Sequence, residues 1–380
     1  MSKQDGLVAV IIAGGVGTRF WPLSTAGMPK QFLRLFDDRS LLQGTYDRVA
    51  VLVPPERVLV LTNEGFVPLV HEQLPDIPEG NVIGEPMRRD TAGAVGLAAF
   101  LCRRRFGTPV LAVLPADHMI EPVDRFRQAL MSAVAAARRD DALYTFGIPP
   151  TYPATGYGYL ELGEQLADDG GIAHYRVLRF KEKPDVETAR IYLEKGTFLW
   201  NSGMFVWNTN ALLNEIETHL PGHFRHLRKL VAVDGLADWP AELRKVFASI
   251  PSISIDYGVM EKAVNVRAIA APFSWSDVGG WPALEAFLAK DALNNACRGR
   301  VRVLGAESNI VFSEDTEETI ALVGVQDLIV VRCGKRTLVA TRDRIEDLKK
   351  LVESQALDEE PEAGDGINGG RKSLAKGGRE

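Results

Sequence analysis

Cysteine is scarce in this sequence: Cys102, Cys297 and Cys333 are the only three among 380 residues. They form no CxxC pair and no metal-ligand spacing, so neither a disulfide framework nor a structural zinc site is expected. Scattered reduced thiols fit a reducing compartment. Long apolar runs are missing too. The first, Leu7–Ala13, falls well short of the about 18 residues that suggest a membrane span. It follows Lys3, Gln4 and Asp5, which is not the layout of a secretion signal. A soluble cytoplasmic protein with no membrane partner is expected. An excess of positive charge is also absent, because 44 Lys and Arg face 50 Asp and Glu for a net −6. That balance argues against a nucleic-acid partner, so an anionic substrate must be held by a local group of cations. What remains, 46% hydrophobic and 25% charged residues, is the usual mix of a soluble globular chain. The length suffices for one large domain and a smaller one.

Strand and helix signals alternate through the first half. Leu7–Ala13, Val58–Thr62, Asn81–Gly84 and Val110–Leu114 read as strands. Ser40–Ala50, Thr91–Arg105 and Phe126–Arg138 read as helices, with Ser40 as a candidate cap. Strands spaced by helices imply parallel βαβ units, whose ligand loops lie at the carboxyl ends of the strands. Farther on, Thr155–Leu162, Val177–Phe180 and Met204–Trp207 look like strands. Beyond about Asn294 only short β-like runs appear, followed by a helix at Ile345–Leu351. The predicted fold is α/β, with a Rossmann-like mixed sheet flanked by helices and a small β-rich C-terminal domain. The expected divisions are 1–290 for the catalytic part, 291–353 for the β-rich part and 354–380 for a polar, Gly-rich disordered tail.

The most informative stretch runs AGGVGTRFWPLSTAGMPK from Ala13 to Lys30. A buried strand ends, and Gly14, Gly15 and Gly17 open a loop whose backbone can approach phosphate oxygens. Thr18 and Arg19 follow, and Lys30 adds a second cation. No GK[ST] follows, so this is not a Walker A loop. Phe20 stands where a third dinucleotide-binding glycine belongs.

With PKQF at Pro29–Phe32, this stretch resembles the signature of the sugar-nucleotide pyrophosphorylase family. Trp21 and Gln31 resemble its branch that joins GTP to mannose 1-phosphate. The resemblance implies the nucleotide-diphospho-sugar transferase type of fold. It also implies GTP and mannose 1-phosphate as substrates, GDP-mannose and pyrophosphate as products, and Mg²⁺ as cofactor. Other members use glucose 1-phosphate with dTTP or UTP, and an inactive nucleotide-sugar sensor would have lost Arg19, Asp117 or Asp277. Some longer relatives carry an added isomerase domain, for which the stretch after Trp281 is too short. The oligomeric state is left open, a homodimer included.

Further motifs extend the resemblance. LPADHMI places Asp117 directly after a buried strand, where a carboxylate can ligate Mg²⁺ or cap a helix. His118 beside it either binds sugar or orients the loop. WSDVGGW places Asp277 among aromatic residues and glycines, an expensive position for a carboxylate unless it is paired, metal-bound or capping a helix. The family uses the residues matching Asp117 and Asp277 as metal ligands. EPMRRDTA supplies Glu85, Arg88 and Thr91, which the resemblance puts near the base and triphosphate, although the arginines also suit a solvated surface. TGYGY offers Tyr157 and Gly158, FKEKP offers Glu182 and Lys183, and WNSGMF offers Asn201. These supply hydroxyl acceptors and donors, with Lys183 as a point charge for the sugar phosphate. SIDYGVMEK adds Asp256 and Glu261 as candidate supports.

Overall fold

The computed structural model describes residues 6–354 apart from 16 and 169. The expected disordered tail from residue 355 on lies outside the described residues.

Alternation builds the centre. The chain runs β1 (Leu7–Ala13), α1 (Leu41–Val49), β2 (Val58–Asn63), α2 (Val67–Gln73), β3 (Val82–Glu85), α3 (Asp90–Phe106) and β4 (Val110–Pro115). β3, β2, β1 and β4 are parallel neighbours in that order. Ser40 caps α1 through a capping box with Gln43, which satisfies otherwise orphaned backbone donors. Next come β5 (Met119–Glu121), α4 (Val123–Ala137), β6 (Leu143–Ile148), β7 (Tyr159–Asp168), β8 (Ala173–Lys181), α5 (Val186–Lys195) and β9 (Phe198–Asn208). β9 enters the same sheet antiparallel to both β4 and β6, which makes the sheet mixed. The helices α6 (Thr209–His219), α7 (Pro221–Val231) and α8 (Trp239–Ser249) follow, then β10 (Val266–Ala270), which completes nine strands with β7 and β8.

The unbroken apolar runs are explained by burial on both faces. In β1, Leu7, Ala9, Ile11 and Ala13 pack into one core, and Val8 and Val10 into the other. The first core holds α4 residues such as Phe126 and Leu130, and the second holds α3, α6 and α7 residues such as Leu97, Leu212 and Leu227. Each fully buried Leu or Val contributes about 1.5–3 kcal/mol.

The C-terminal runs do form strands. After β11 (Ser274–Ser276) come β12 (Ala289–Lys290), β13 (Ala296–Arg298), β14 (Arg300–Leu304), β15 (Ile310–Ser313), β16 (Thr319–Val323), β17 (Leu328–Cys333) and β18 (Arg336–Thr341), then α9 (Leu348–Glu353). β13, β15 and β17 stack in parallel, as do β14 and β16. The pattern is a coil of short strands. Buried Asn309 stitches its turns: its Nδ2 donates to Asn295 Oδ1 at 2.8 Å, and its Oδ1 accepts from Leu328 N at 2.9 Å. Ile310, Phe312, Ile329 and Val331 of this coil share a core with Phe20, Trp21, Leu33 and Trp281. The coil therefore buttresses the glycine-rich signature loop.

Candidate active site

The loop after β1 is held from behind. Gln31 Nε2 donates to the carbonyls of Ala13 at 2.9 Å and Gly15 at 3.1 Å, and Thr62 Oγ1 also donates to Ala13 O at 2.9 Å. Gly17 has φ +58° and lies against Lys30, leaving no room for a Cβ. Thr18 opens the short helical turn Thr18–Phe20.

Two distant motifs meet because β5 and β11 pair. The register sets Met119 opposite Ser276 and Ile120 opposite Trp275, so the segment before β5, with Asp117 and His118, approaches the residue after β11, Asp277. Lys30 joins them: its Nζ lies 2.8 Å from Asp117 Oδ2 and donates to the Asp277 carbonyl at 2.5 Å. Burial pushes the Asp117 carboxyl up, but the charge and hydrogen bond of Lys30 more than reverse this and hold it below its ordinary value. His118 is pushed down to about 4, chiefly by burial, so it is neutral near pH 7. Trp275 Nε1 donates to His118 Nδ1 at 3.1 Å, which leaves the ring proton on Nε2. Tyr157 donates its hydroxyl proton to Asp277 Oδ1 at 2.9 Å.

One cavity of about 640 Å³ gathers most of the sequence candidates. Gly14, Gly15, Glu85, Arg88, Thr91, Asp117, Tyr157, Gly158, Glu182, Asn201 and Asp277 all line it. Glu85 ends β3 beside Gly14, and burial pushes its carboxyl up to about 8. Thr91 Oγ1 accepts from Ile255 N at 2.8 Å and so anchors the segment before Asp256. Glu182 Oε2 is buried against Gly158 with no hydrogen-bond partner among the described residues, an expensive state for a carboxylate. Its backbone N–H donates to Glu261 Oε1 at 2.8 Å, the supporting role expected of Glu261.

Some candidates stand apart. Arg19, Lys30 and Lys183 are not among the lining residues. Arg19 is 56% exposed, its nearest acid being Glu346 at 3.9 Å. Lys183 lies 3.2 Å from Glu182 Oε1 at the rim. Ala13 and Gly17 shape the loop from outside the cavity. Both arginines of the pair line the cavity, and Arg89 is also tied to the Phe247 carbonyl at the end of α8. Sequence reasoning missed Asp90, Ser202 and Ser252, which line the cavity as well. Asp90 lay inside a quoted motif, and its φ of +59° marks it. Ser252 carried no sequence signal.

A carboxylate pair at the sheet's carboxyl edge, next to a phosphate-sized glycine loop, defines a nucleotidyl-transfer site in outline. Residues 8–293 match the model of the family described as nucleotidyl transferase, and residues 299–354 match that of the MannoseP isomerase/GMP-like beta-helix domain. The chain belongs to the nucleotidyl transferase family.

Its relatives are narrower in kind. A mannose-1-phosphate guanylyltransferase of Klebsiella pneumoniae is 40% identical over 351 residues, covering 91% of this chain and 73% of the relative. One from Escherichia coli strain K12 is 38% identical over 360 residues, covering 93% and 74%. Among solved structures, a mannose-1-phosphate geranyltransferase from Thermus thermophilus superimposes with TM-score 0.82 at 36% identity, covering 92% of this chain and 99% of that one.

Enzymes of this family generally use a divalent metal. Among the described residues, no group of three or more His, Cys, Asp or Glu is gathered to hold one. Asp117 and Asp277 nonetheless fit a hard cation, because both offer oxygen and both face a cavity in which phosphate oxygens can complete the shell. No helix among the described residues is long and apolar enough to cross a membrane.

Proposed function

We propose that this chain transfers GMP from GTP to α-D-mannose 1-phosphate, giving GDP-mannose and pyrophosphate with Mg²⁺ as cofactor. One observation carries the reading. A single cavity brings the Asp117–Asp277 pair and the Gly14–Gly15 loop together with a polar wall of Gly158, Glu182 and Asn201. The relatives named for this reaction support it over nine-tenths of the chain.

An oxygen of the sugar phosphate attacks the α-phosphorus of GTP in line. The new P–O bond forms as the bond to the β-phosphate oxygen breaks, and the electron pair leaves with pyrophosphate. Nucleotidyl transfer needs alignment and charge neutralisation more than covalent help. Asp117 and Asp277 would hold Mg²⁺, which would supply part of that neutralisation. Ala13, Gly14, Gly15, Gly17 and Thr18 form the triphosphate loop, and Arg88 and Arg19 add positive charge toward the phosphates. Lys30 keeps Asp117 ionised and fixes it beside Asp277. Thr91 orders the Ile255–Asp256 wall. Glu85, beside Gly14, belongs to the nucleotide side of the cavity. Lys183 holds the sugar phosphate, and Tyr157 holds Asp277.

The test is pyrophosphate release with Mg²⁺, mannose 1-phosphate and each of the four common NTPs, with glucose 1-phosphate in parallel. GTP with mannose 1-phosphate should exceed every other pair. Preference for glucose 1-phosphate with UTP or dTTP overturns the assignment.

A further inference from the structure

Asn201 was expected to meet the sugar directly, yet its amide is largely engaged within the protein. Its Oδ1 accepts from Thr145 Oγ1 at 2.9 Å and from Gly203 N at 3.3 Å. Its Nδ2 donates to Asp256 Oδ1 at 2.9 Å. The group that Asn201 orients is therefore the Asp256 carboxylate. Asp256 lines the same cavity as Glu182 and Gly158. It opens the π-helical turn Asp256–Met260, a wide turn of the kind often kept at functional sites. Among the described residues, Asn201 is the one side chain that donates to it. Burial, reinforced by the nearby negative charge of Glu182, pushes its carboxyl up to about 7. Two acidic groups thus face one another across a wall that also presents backbone at Gly158. In this array Lys183 reaches Glu182 Oε1 and Asn201 reaches Asp256 Oδ1, but among the described residues Glu182 Oε2 still waits for donors. A hexose supplies them, since each hydroxyl can donate a proton to one carboxylate oxygen.

We infer that Asp256 is a specificity-determining residue that accepts a hydrogen bond from a ring hydroxyl of the sugar phosphate, with Asn201 as the positioning residue that aims it. This rests on the sugar-phosphate reading of the cavity. The test is Asp256→Asn. The new amide oxygen still accepts from Asn201, so the internal bond survives, while the atom facing the cavity changes from acceptor to donor. Steady-state kinetics compare wild type and variant on mannose 1-phosphate and on its monodeoxy analogues, each with GTP saturating. KM for mannose 1-phosphate should rise roughly ten- to a hundred-fold, the range for a hydrogen bond to a charged group. KM for GTP should stay put, which also reports an intact fold. One deoxy analogue, lacking the hydroxyl that Asp256 reads, should lose no further activity in the variant. An active wild type with an unaffected variant overturns this inference alone. So does an equal added loss on every analogue, which marks a merely structural role. A wild type inactive on mannose 1-phosphate overturns the activity as well.

Discussion

Replacing Lys30 by Met removes the ammonium that bridges Asp117 Oδ2 and the Asp277 carbonyl. The Lys30 side chain is 10% exposed and that of Asp117 is 32% exposed. Removing one partner of a fully buried pair costs roughly 3–5 kcal/mol, and the residual access of water to Asp117 should reduce this to about 2–3 kcal/mol. Lys30→Met/Asp117→Asn should recover part of the loss, because no charge is then left unpaired. The double variant should be more stable than the sum of the single effects by at least about 1 kcal/mol, well above the scatter of independent sites. Urea unfolding followed by tryptophan fluorescence, with the slope held common, measures all four proteins. The sign with pH follows from Asp117. Its folded pKa is depressed, so its contribution is present above the unfolded carboxylate pKa and is lost as pH falls through the folded one. The Lys30→Met deficit should therefore be largest near neutrality and shrink in acid. Additive single effects, or a deficit independent of pH, would refute the pairing argument.

Three more outcomes follow. Gly158→Ala would drive a Cβ into Glu182 Oε2 and to 3.2 Å from Asn201 Cβ; we expect about 1–3 kcal/mol of lost stability by urea melts and a raised KM for mannose 1-phosphate by kinetics. Glu85 has a folded pKa raised from 4.5 to about 8, so its favourable contribution is complete below the unfolded value and drains away as pH climbs to about 8. Glu85→Gln should accordingly gain stability relative to wild type between pH 5 and pH 8, as measured by urea melts across that range. Lys183→Ala should mainly raise KM for mannose 1-phosphate, and Arg19→Ala should mainly lower kcat, since the Arg19 interaction strengthens as charge moves to pyrophosphate. If Lys183→Ala raised only the KM for GTP, the two substrate sites would be reversed.

Local signals made much of this molecule legible. The run Leu7–Ala13 had to be a buried strand, and Gly14, Gly15 and Gly17 had to be a loop, because both follow from side-chain size and polarity alone. The strand expected from Thr155 begins only at Tyr159, since Gly156 and Gly158 stay in the loop that meets Glu182. Pairing was the illegible part. Nothing in LPADHMI or WSDVGGW says that β5 and β11 lie together, yet that pairing brings both aspartates within reach of Lys30. The C-terminal runs announced strands but not their parallel coil, which the Asn295–Asn309 stitching fixes through contacts between turns. Asn201 shows the same gap. Its residue type suggested a sugar contact, and only its partners, Thr145 and Asp256, show that its amide works within the wall.

The central claim is that Asp117 and Asp277 form the reaction centre, and one measurement bears on it most directly. Pyrophosphate release from GTP and mannose 1-phosphate at saturating Mg²⁺ is compared for wild type, Asp117→Asn and Asp277→Asn, each checked for its melting temperature. Removing a charged metal ligand while keeping its shape should lower turnover by orders of magnitude in both variants and leave the fold intact. Wild-type turnover by both folded variants would contradict the account.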